Sequence, residues 1–146
     1  MCGICGIYNF RKEEKVEKDD LEIMVNTLAH RGPDDSGVFI DNNIGLGHRR
    51  LSIIDLSDAG HQPMFYEDLI IVFNGEIYNF QEEREKLIQE GYKFKSRTDT
   101  EVIAHLIEDY LNQGKSLEEA VRLAALMLRG SYAFAVISPF HEDVII

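Results

Sequence analysis

The feature that most limits how this chain can fold is a block of three helix openings in its second half, flanked on both sides by β-prone apolar runs. In "NFQEEREKLIQEG", Asn79 stands where a cap belongs, Glu82 lies three residues on, and Gly91 closes the segment. "TDTEVIAHLIEDYLNQG" repeats the capping-box spacing with Thr98 and Glu101, and "SLEEAVRLAALMLRG" repeats it with Ser116 and Glu119. Upstream, residues 3–10 are apolar and β-prone, "SGVFIDNNIGLGHRRLSIID" reads as short strands broken at the turn-forming "DNN", and "LIIVF" is a buried strand. An earlier helix carries Leu21, Met24, Val25 and Leu28 at helical spacing and ends near Gly32. "YKFK" reads as a short strand, "SYAFAVIS" as a continuous buried one, and "DVII" as its hairpin partner. Strands on either side of a helical block predict an α+β domain in which antiparallel sheets pack against helices.

Several classes of function are disfavoured by charge and composition. Twenty-six acidic against 15 basic residues give a net charge of -11, which repels phosphate backbones, so no nucleic acid partner is expected. No apolar stretch approaches the roughly 20 residues that cross a bilayer, and no basic segment leads into an apolar one at the start. The expectation is therefore no membrane span and a cytoplasmic location. The two cysteines, Cys2 and Cys5, offer no disulfide framework. They fit C-x-x-C, but on a strand positions 2 and 5 face opposite sides, and the five histidines show no paired spacing, so neither a metal nor a cofactor is expected. Cys5 reads as core.

Cys2 raises a different possibility. Removal of Met1 would leave residue 2 with both a thiol and a free α-amine, whose ordinary pKa of about 8 lets it accept a proton near neutrality. The alternative is a small terminal hydrophobe. "VFNGEIYNF" has two readings as well: a hairpin with an Asn-Gly turn, which local sequence favours, or a pair of oxyanion donors from the Asn74 amide and the Gly75 N–H. In "GHRRLSIID" a guanidinium of Arg49 or Arg50 suits bidentate capture of a carboxylate, unless both are simply solvated. Asp99 belongs at a helix start for dipole reasons and could also receive an ammonium. "HRGPDDSG" is a turn by composition, and His30 and Asp34 in it read as shaping a wall rather than reacting. A thiol, two donors, an arginine and an aspartate together describe an α-amino acid with an acyl group in its side chain.

In order, "MCGICGIY", "HRGPDDSG", "HRRLSIIDLSDAGHQPM", "NGEIYNF" and "TDTEVIAH" resemble the class II, N-terminal nucleophile glutamine amidotransferase domain. Up to about "EGYKF" the likeness is to glutamine-dependent asparagine synthetase; "TDTEVIAHLIEDYL" and "SLEEAVRLAALMLRGSYAFAVIS" look more like glucosamine-6-phosphate synthase, a pattern expected of a chimaera, a reconstructed sequence or a natural intermediate. The resemblance implies an αββα sandwich of two antiparallel sheets between helical layers. It implies a glutaminase acting on L-glutamine: Cys2 as nucleophile forming a thioester, Asn74 and Gly75 as oxyanion hole, Arg50 on the α-carboxylate, Asp99 and the Glu76 backbone on the α-amine, and Leu51 and Ile54 lining the pocket. It also implies that residues 1–146 form a C-terminally truncated glutaminase domain with no acceptor or synthetase domain, whose open sheet edge would favour a homodimer. The rival readings are a catalytically silent scaffold fragment and an amino-acid-binding module.

Overall fold

The computed structural model describes residues 1–138 and 143–145. Among these the elements run β1 (Gly3–Tyr8), α1 (Lys18–Thr27), β2 (Asp35–Asp41), β3 (Ile44–Arg50), β4 (Met64–Tyr66), β5 (Leu69–Ile77), α2 (Phe80–Gln89), α3 (Asp99–Asn112), α4 (Leu117–Met127), β6 (Gly130–Ser138) and β7 (Asp143–Ile145). Two antiparallel sheets result, one ordered β1-β3-β2 and the other β4-β5-β6-β7. The hairpin joining β2 to β3 turns at "DNN", with Asn42 at φ 47, a conformation that Asn tolerates better than most residues.

Each layer follows from where the apolar residues fall. Leu21 and Val25, one helical turn apart, bury one stripe of α1 on the first sheet over Gly45 and Gly47 of β3. Alternation along β5 divides its side chains. Ile70 and Val72 meet Ile44 and Leu46 between the sheets, while Ile71, Phe73 and Ile77 turn to the other side and pack with Val102, Ile103 and Ile107 of α3. Helix α3 is buried on all sides from Asp99 to Ile107, and α2 and α4 flank it. The layer order is helix, sheet, sheet, helices, so the α+β expectation and the αββα sandwich both hold.

Local expectations fail in four places. The turn chemistry of "VFNGEI" does not fold a hairpin: β5 continues straight through Asn74 and Gly75 to Ile77, because β6 pairs with it from Ile70 to Ile77. "YKFK" forms no strand; Glu101 takes the Lys95 and Ser96 N–H groups, each at 2.7 Å, that a ladder would need. Strand β6 is buried only from Ala135 to Ser138, its first half being exposed or half-exposed. Of the three expected caps only Ser116 accepts a helix N–H, from Glu119 at 3.3 Å. Asn79 instead ties α2 to the end of α4, donating to Met127 O at 2.9 Å and accepting from Arg129 N at 2.8 Å. Elsewhere α1 begins earlier and ends earlier than its apolar spacing suggests, and β1 stops at Tyr8. The hairpin partner expected in "DVII" is β7 over Asp143–Ile145; Ile146 lies outside the described residues. Among the described residues no helix is long and apolar enough to cross a membrane.

Candidate active site

Cys2 sits just ahead of β1, in line with the end of β3, where Gly3 pairs with Arg49. Its Sγ accepts the Leu51 N–H at 3.3 Å, with Leu51 O at 3.7 Å, and its own carbonyl accepts from Arg31 Nε at 2.8 Å. Both chain directions around the thiol are therefore pinned. Arg31 was not singled out by the sequence, since nothing in its spacing links it to a residue 29 positions away. Cys5 is a separate free thiol lying against Gly47 on the α1 side, and burial pushes its pKa up. His30 is exposed and faces Thr27 O, whereas Asp34 accepts from Ser52 N at 2.8 Å and braces the stretch after β3. Among the described residues no group of three or more His, Cys, Asp and Glu side chains could hold a metal.

The second wall is one edge of β5. Tyr78 N–H donates to Arg129 O at 2.7 Å, which sets the phase of the antiparallel ladder: alternate residues bond β6, and Ile71, Phe73, Gly75 and Ile77 direct their backbone groups to the opposite edge. Strand β4 covers that edge only as far as Ile71, opposite Met64. Beyond it, side chains substitute for a strand. Gln62 Oε1 accepts the Phe73 N–H at 2.6 Å, His48 Nε2 donates to Phe73 O at 3.1 Å, and Asp99 Oδ2 accepts the Ile77 N–H at 3.3 Å. Burial pushes the His48 pKa down to about 4, so the ring is neutral and its Nε2 proton faces the carbonyl. Among the described residues no partner takes the Gly75 N–H. Gly75 has φ 152, and a Cβ there would overlap Ser131 O and Tyr132, so only glycine fits.

Arg50 closes the third side. Its guanidinium donates to Ser57 O at 2.9 Å and to Asp55 O, drawing the 51–60 loop around itself. Gly60 packs directly on it, with no room for a side chain. The Asp55 carboxylate holds the same loop by accepting from the Ser57 hydroxyl at 2.7 Å and the Arg97 N–H at 2.8 Å, bonds that lower its pKa to about 2. Arg49 points elsewhere, with Nε buried and unpartnered among the described residues. At the start of α3, Asp99 is buried; desolvation raises its pKa, against N–H groups of Ile77, Asp99 and Thr100 that favour the anion.

These walls enclose a cavity of about 390 Å³. Cys2, Arg50, Leu51, Ile54, Gly75, Glu76 and Asp99 all line it, and so does Met1. Asn74 is not among the lining residues: its side chain lies on the inter-sheet face of β5 with Ile70 and Val72, its Oδ1 buried and unpartnered among the described residues. Gln62 and Thr100 also line the cavity. A polar side chain buried between two apolar elements was the missing signal for Gln62, visible only once β4 is seen to end.

Residues 1–146 match the glutamine amidotransferase domain family along their whole length. The chain belongs to that family. This amidotransferase domain is 41% identical over 140 residues to asparagine synthetase [glutamine-hydrolyzing] 1 of Bacillus subtilis, covering 93% of the chain and 20% of the relative. It is 32% identical over 174 residues to the glutamine–fructose-6-phosphate aminotransferase [isomerizing] of Mesorhizobium japonicum, covering 100% of the chain and 28% of the relative. The domain thus spans 20% to 28% of the length of these curated relatives. Its fold is that of the glutamine phosphoribosylpyrophosphate amidotransferase of B. subtilis solved with ADP and GMP, with TM-score 0.78 over 94% of the chain and 35% of that structure, at 21% identity. The glutamine amidotransferase family expected from the sequence is therefore the one found, and the fold expected with it is shared with that structure.

Proposed function

We propose that this domain hydrolyses the side-chain amide of L-glutamine to glutamate and ammonia, the glutaminase half-reaction of a class II amidotransferase. The supporting observation is the convergence of the Cys2 thiol, the Gly75 edge, Arg50 and Asp99 on one cavity. Once Met1 is removed, the α-amine of Cys2 takes the thiol proton and the sulfur attacks the amide carbon. The C=O electrons collapse onto oxygen, where the Gly75 N–H and the Asn74 amide stabilise the oxyanion, the latter after its side chain turns toward the cavity. The C–N bond then breaks, the proton passes from the α-amine to the leaving nitrogen, and ammonia departs from a thioester. Water attacks the thioester, giving glutamate and regenerating the thiol. Arg50 holds the α-carboxylate, Asp99 and the Glu76 backbone hold the ammonium, and Leu51 and Ile54 form the walls. Ammonia then passes to an acceptor outside these 146 residues, and an open sheet edge would serve homodimerisation.

A second reading rests on Met1, which lines the cavity. While Met1 is retained, residue 2 has an amide in place of a free amine, and the cavity can only bind the amino acid. The test is ammonia release from glutamine by the wild-type chain and by Cys2→Ala, with N-terminal mass measured on the same samples. Release that vanishes in the variant supports hydrolysis. No release from a chain lacking Met1 refutes it.

A further inference from the structure

Gln62 has both ends of its amide committed in the wall of the cavity. It is 5% exposed, its Oε1 accepts the Phe73 N–H at 2.6 Å, and its Nε2 donates to Thr100 Oγ1 at 3.1 Å. Phe73 lies two residues before Gly75 on the same strand edge, and Thr100 directly follows Asp99. On the far side, Ile77 N–H reaches Asp99 Oδ2 at 3.3 Å. A closed circuit results: Gln62 to Phe73, along β5 past Gly75 to Ile77, across to Asp99, on to Thr100 and back to Gln62. We propose that Gln62 is a positioning residue that sets the separation of the Gly75 edge from the Asp99 helix start, and so the length of amide side chain that the site turns over.

The inference rests on the glutaminase reading and adds a specificity device to it. An oxyanion donor at Gly75 and an ammonium acceptor at Asp99 grip opposite ends of one amino acid, so their spacing measures its side chain. Glutamine and asparagine differ by one methylene, and a site distinguishes such a pair only if its two grips are held apart rigidly. β5 cannot supply that rigidity alone, because β4 ends opposite Ile71 and leaves the Phe73 edge without a strand. The Gln62 side chain is long enough to span from that edge to α3; one methylene less would release one end.

The deciding experiment measures kcat and KM for glutamine and asparagine in the wild-type chain freed of Met1, in Gln62→Met, in Gln62→Glu and in Thr100→Val. Gln62→Met keeps the length and loses both bonds, so kcat/KM for glutamine is expected to fall about 10²-fold. Its preference for glutamine over asparagine is expected to fall at least about tenfold. Gln62→Glu retains acceptors for the Phe73 N–H and the Thr100 hydroxyl and recovers most of that preference. Thr100→Val cuts the circuit at one bond, carries a smaller loss of the same kind, and decides the matter should Gln62→Met fail to fold. A folded Gln62→Met or Thr100→Val with lowered Tm but unchanged preference overturns the inference, as does a preference lost equally in Gln62→Met and Gln62→Glu. A wild-type chain that turns over no glutamine overturns the function as well, and is told apart because it fails before any variant is compared.

Discussion

Helices α3 and α4 begin with the same spacing, Thr98 with Glu101 and Ser116 with Glu119, yet the two starts are built differently. At α4 the start is exposed and Ser116 Oγ accepts the Glu119 N–H, as a cap should, while the Glu119 carboxylate meets Lys115 at 3.3 Å. At α3 the start is buried, and no cap bond comes from Thr98, whose hydroxyl faces Ser96 Oγ at 2.8 Å. Glu101 reaches past the cap to the Lys95 and Ser96 N–H groups and the Ser96 hydroxyl, at 2.6 to 2.7 Å. The comparison teaches that a capping motif in water stabilises only its helix. Buried against a cavity, the same residue types are redirected to shape the approach loop and to hold a carboxylate, Asp99, where a ligand can use it.

The sharpest way to break this comparison is to remove Glu101. It is 3% exposed, and its loss leaves the buried Ser96 N–H and the part-buried Lys95 N–H without their acceptor and takes one partner from the Ser96 hydroxyl, which keeps Thr98 Oγ1 at 2.8 Å. Glu101→Ala is expected to lower stability by about 3 kcal/mol, read from denaturant unfolding. Asp99→Asn acts in the opposite direction on stability. Because burial raises the Asp99 pKa above its unfolded value, its charged form costs stability at neutral pH. Asn keeps an oxygen for the Ile77 N–H and removes that cost, so Tm should hold or rise while KM for glutamine climbs by about 30-fold, equivalent to about 2 kcal/mol. A fall in Tm with KM unchanged would mean that Asp99 only supports the helix.

Acid titration refines the contrast. Burial alone would raise the Glu101 pKa, but the His105 ring 3.7 Å away and hydrogen bonds from the Lys95 N–H, the Ser96 N–H and the Ser96 hydroxyl outweigh it and hold the carboxyl at about 2, below its ordinary 4.5. A depressed folded pKa stabilises above the unfolded value and loses that contribution as pH falls through the window from 4.5 toward 2. Between pH 7 and 3 the wild-type chain should lose about 2 kcal/mol more than Glu101→Gln, measured as the difference between their urea midpoints across that range. Parallel curves would show that the buried carboxylate has no more bonding folded than unfolded.

Much of this architecture was legible in the sequence because it rests on local signals. Leu21 and Val25 mark the buried stripe of α1, "DNN" marks a turn, and Ser116 marks a solvent-facing cap. The site was legible mainly through residue types suited to one ligand, Cys2, Gly75, Arg50 and Asp99, whose elements the fold brings to one cavity. What stayed hidden depends on partners distant in sequence. Asn74-Gly75 reads as a hairpin turn locally, but β6, more than 50 residues later, pairs with it and keeps the strand straight. Tyr92 and Phe94 read as a strand, but their rings pack on His105, at 5.1 and 4.2 Å between centroids. Gln62 falls within the "HRRLSIIDLSDAGHQPM" stretch that carries the resemblance, but nothing in the sequence marks its role until the early end of β4 exposes the Phe73 N–H that it meets.

The smallest effect tests the other half of the comparison. Ser116→Ala removes the conventional cap of α4, and since Ser116 is exposed, no buried group is left without water when it goes. The cost is then the ordinary loss of a helix cap, about 1 kcal/mol, read as a lower urea midpoint. Helix α4 packs along α3, yet Leu117, Ala120, Val121 and Ala124 make that packing from the face buried in the core, and none of them is altered. KM and kcat for glutamine should therefore stay within about twofold of wild type. If KM rose with the loss of this cap, the two helix starts would be coupled through the α3–α4 packing, and the division between a cap that stabilises and a cap that shapes a site would no longer stand.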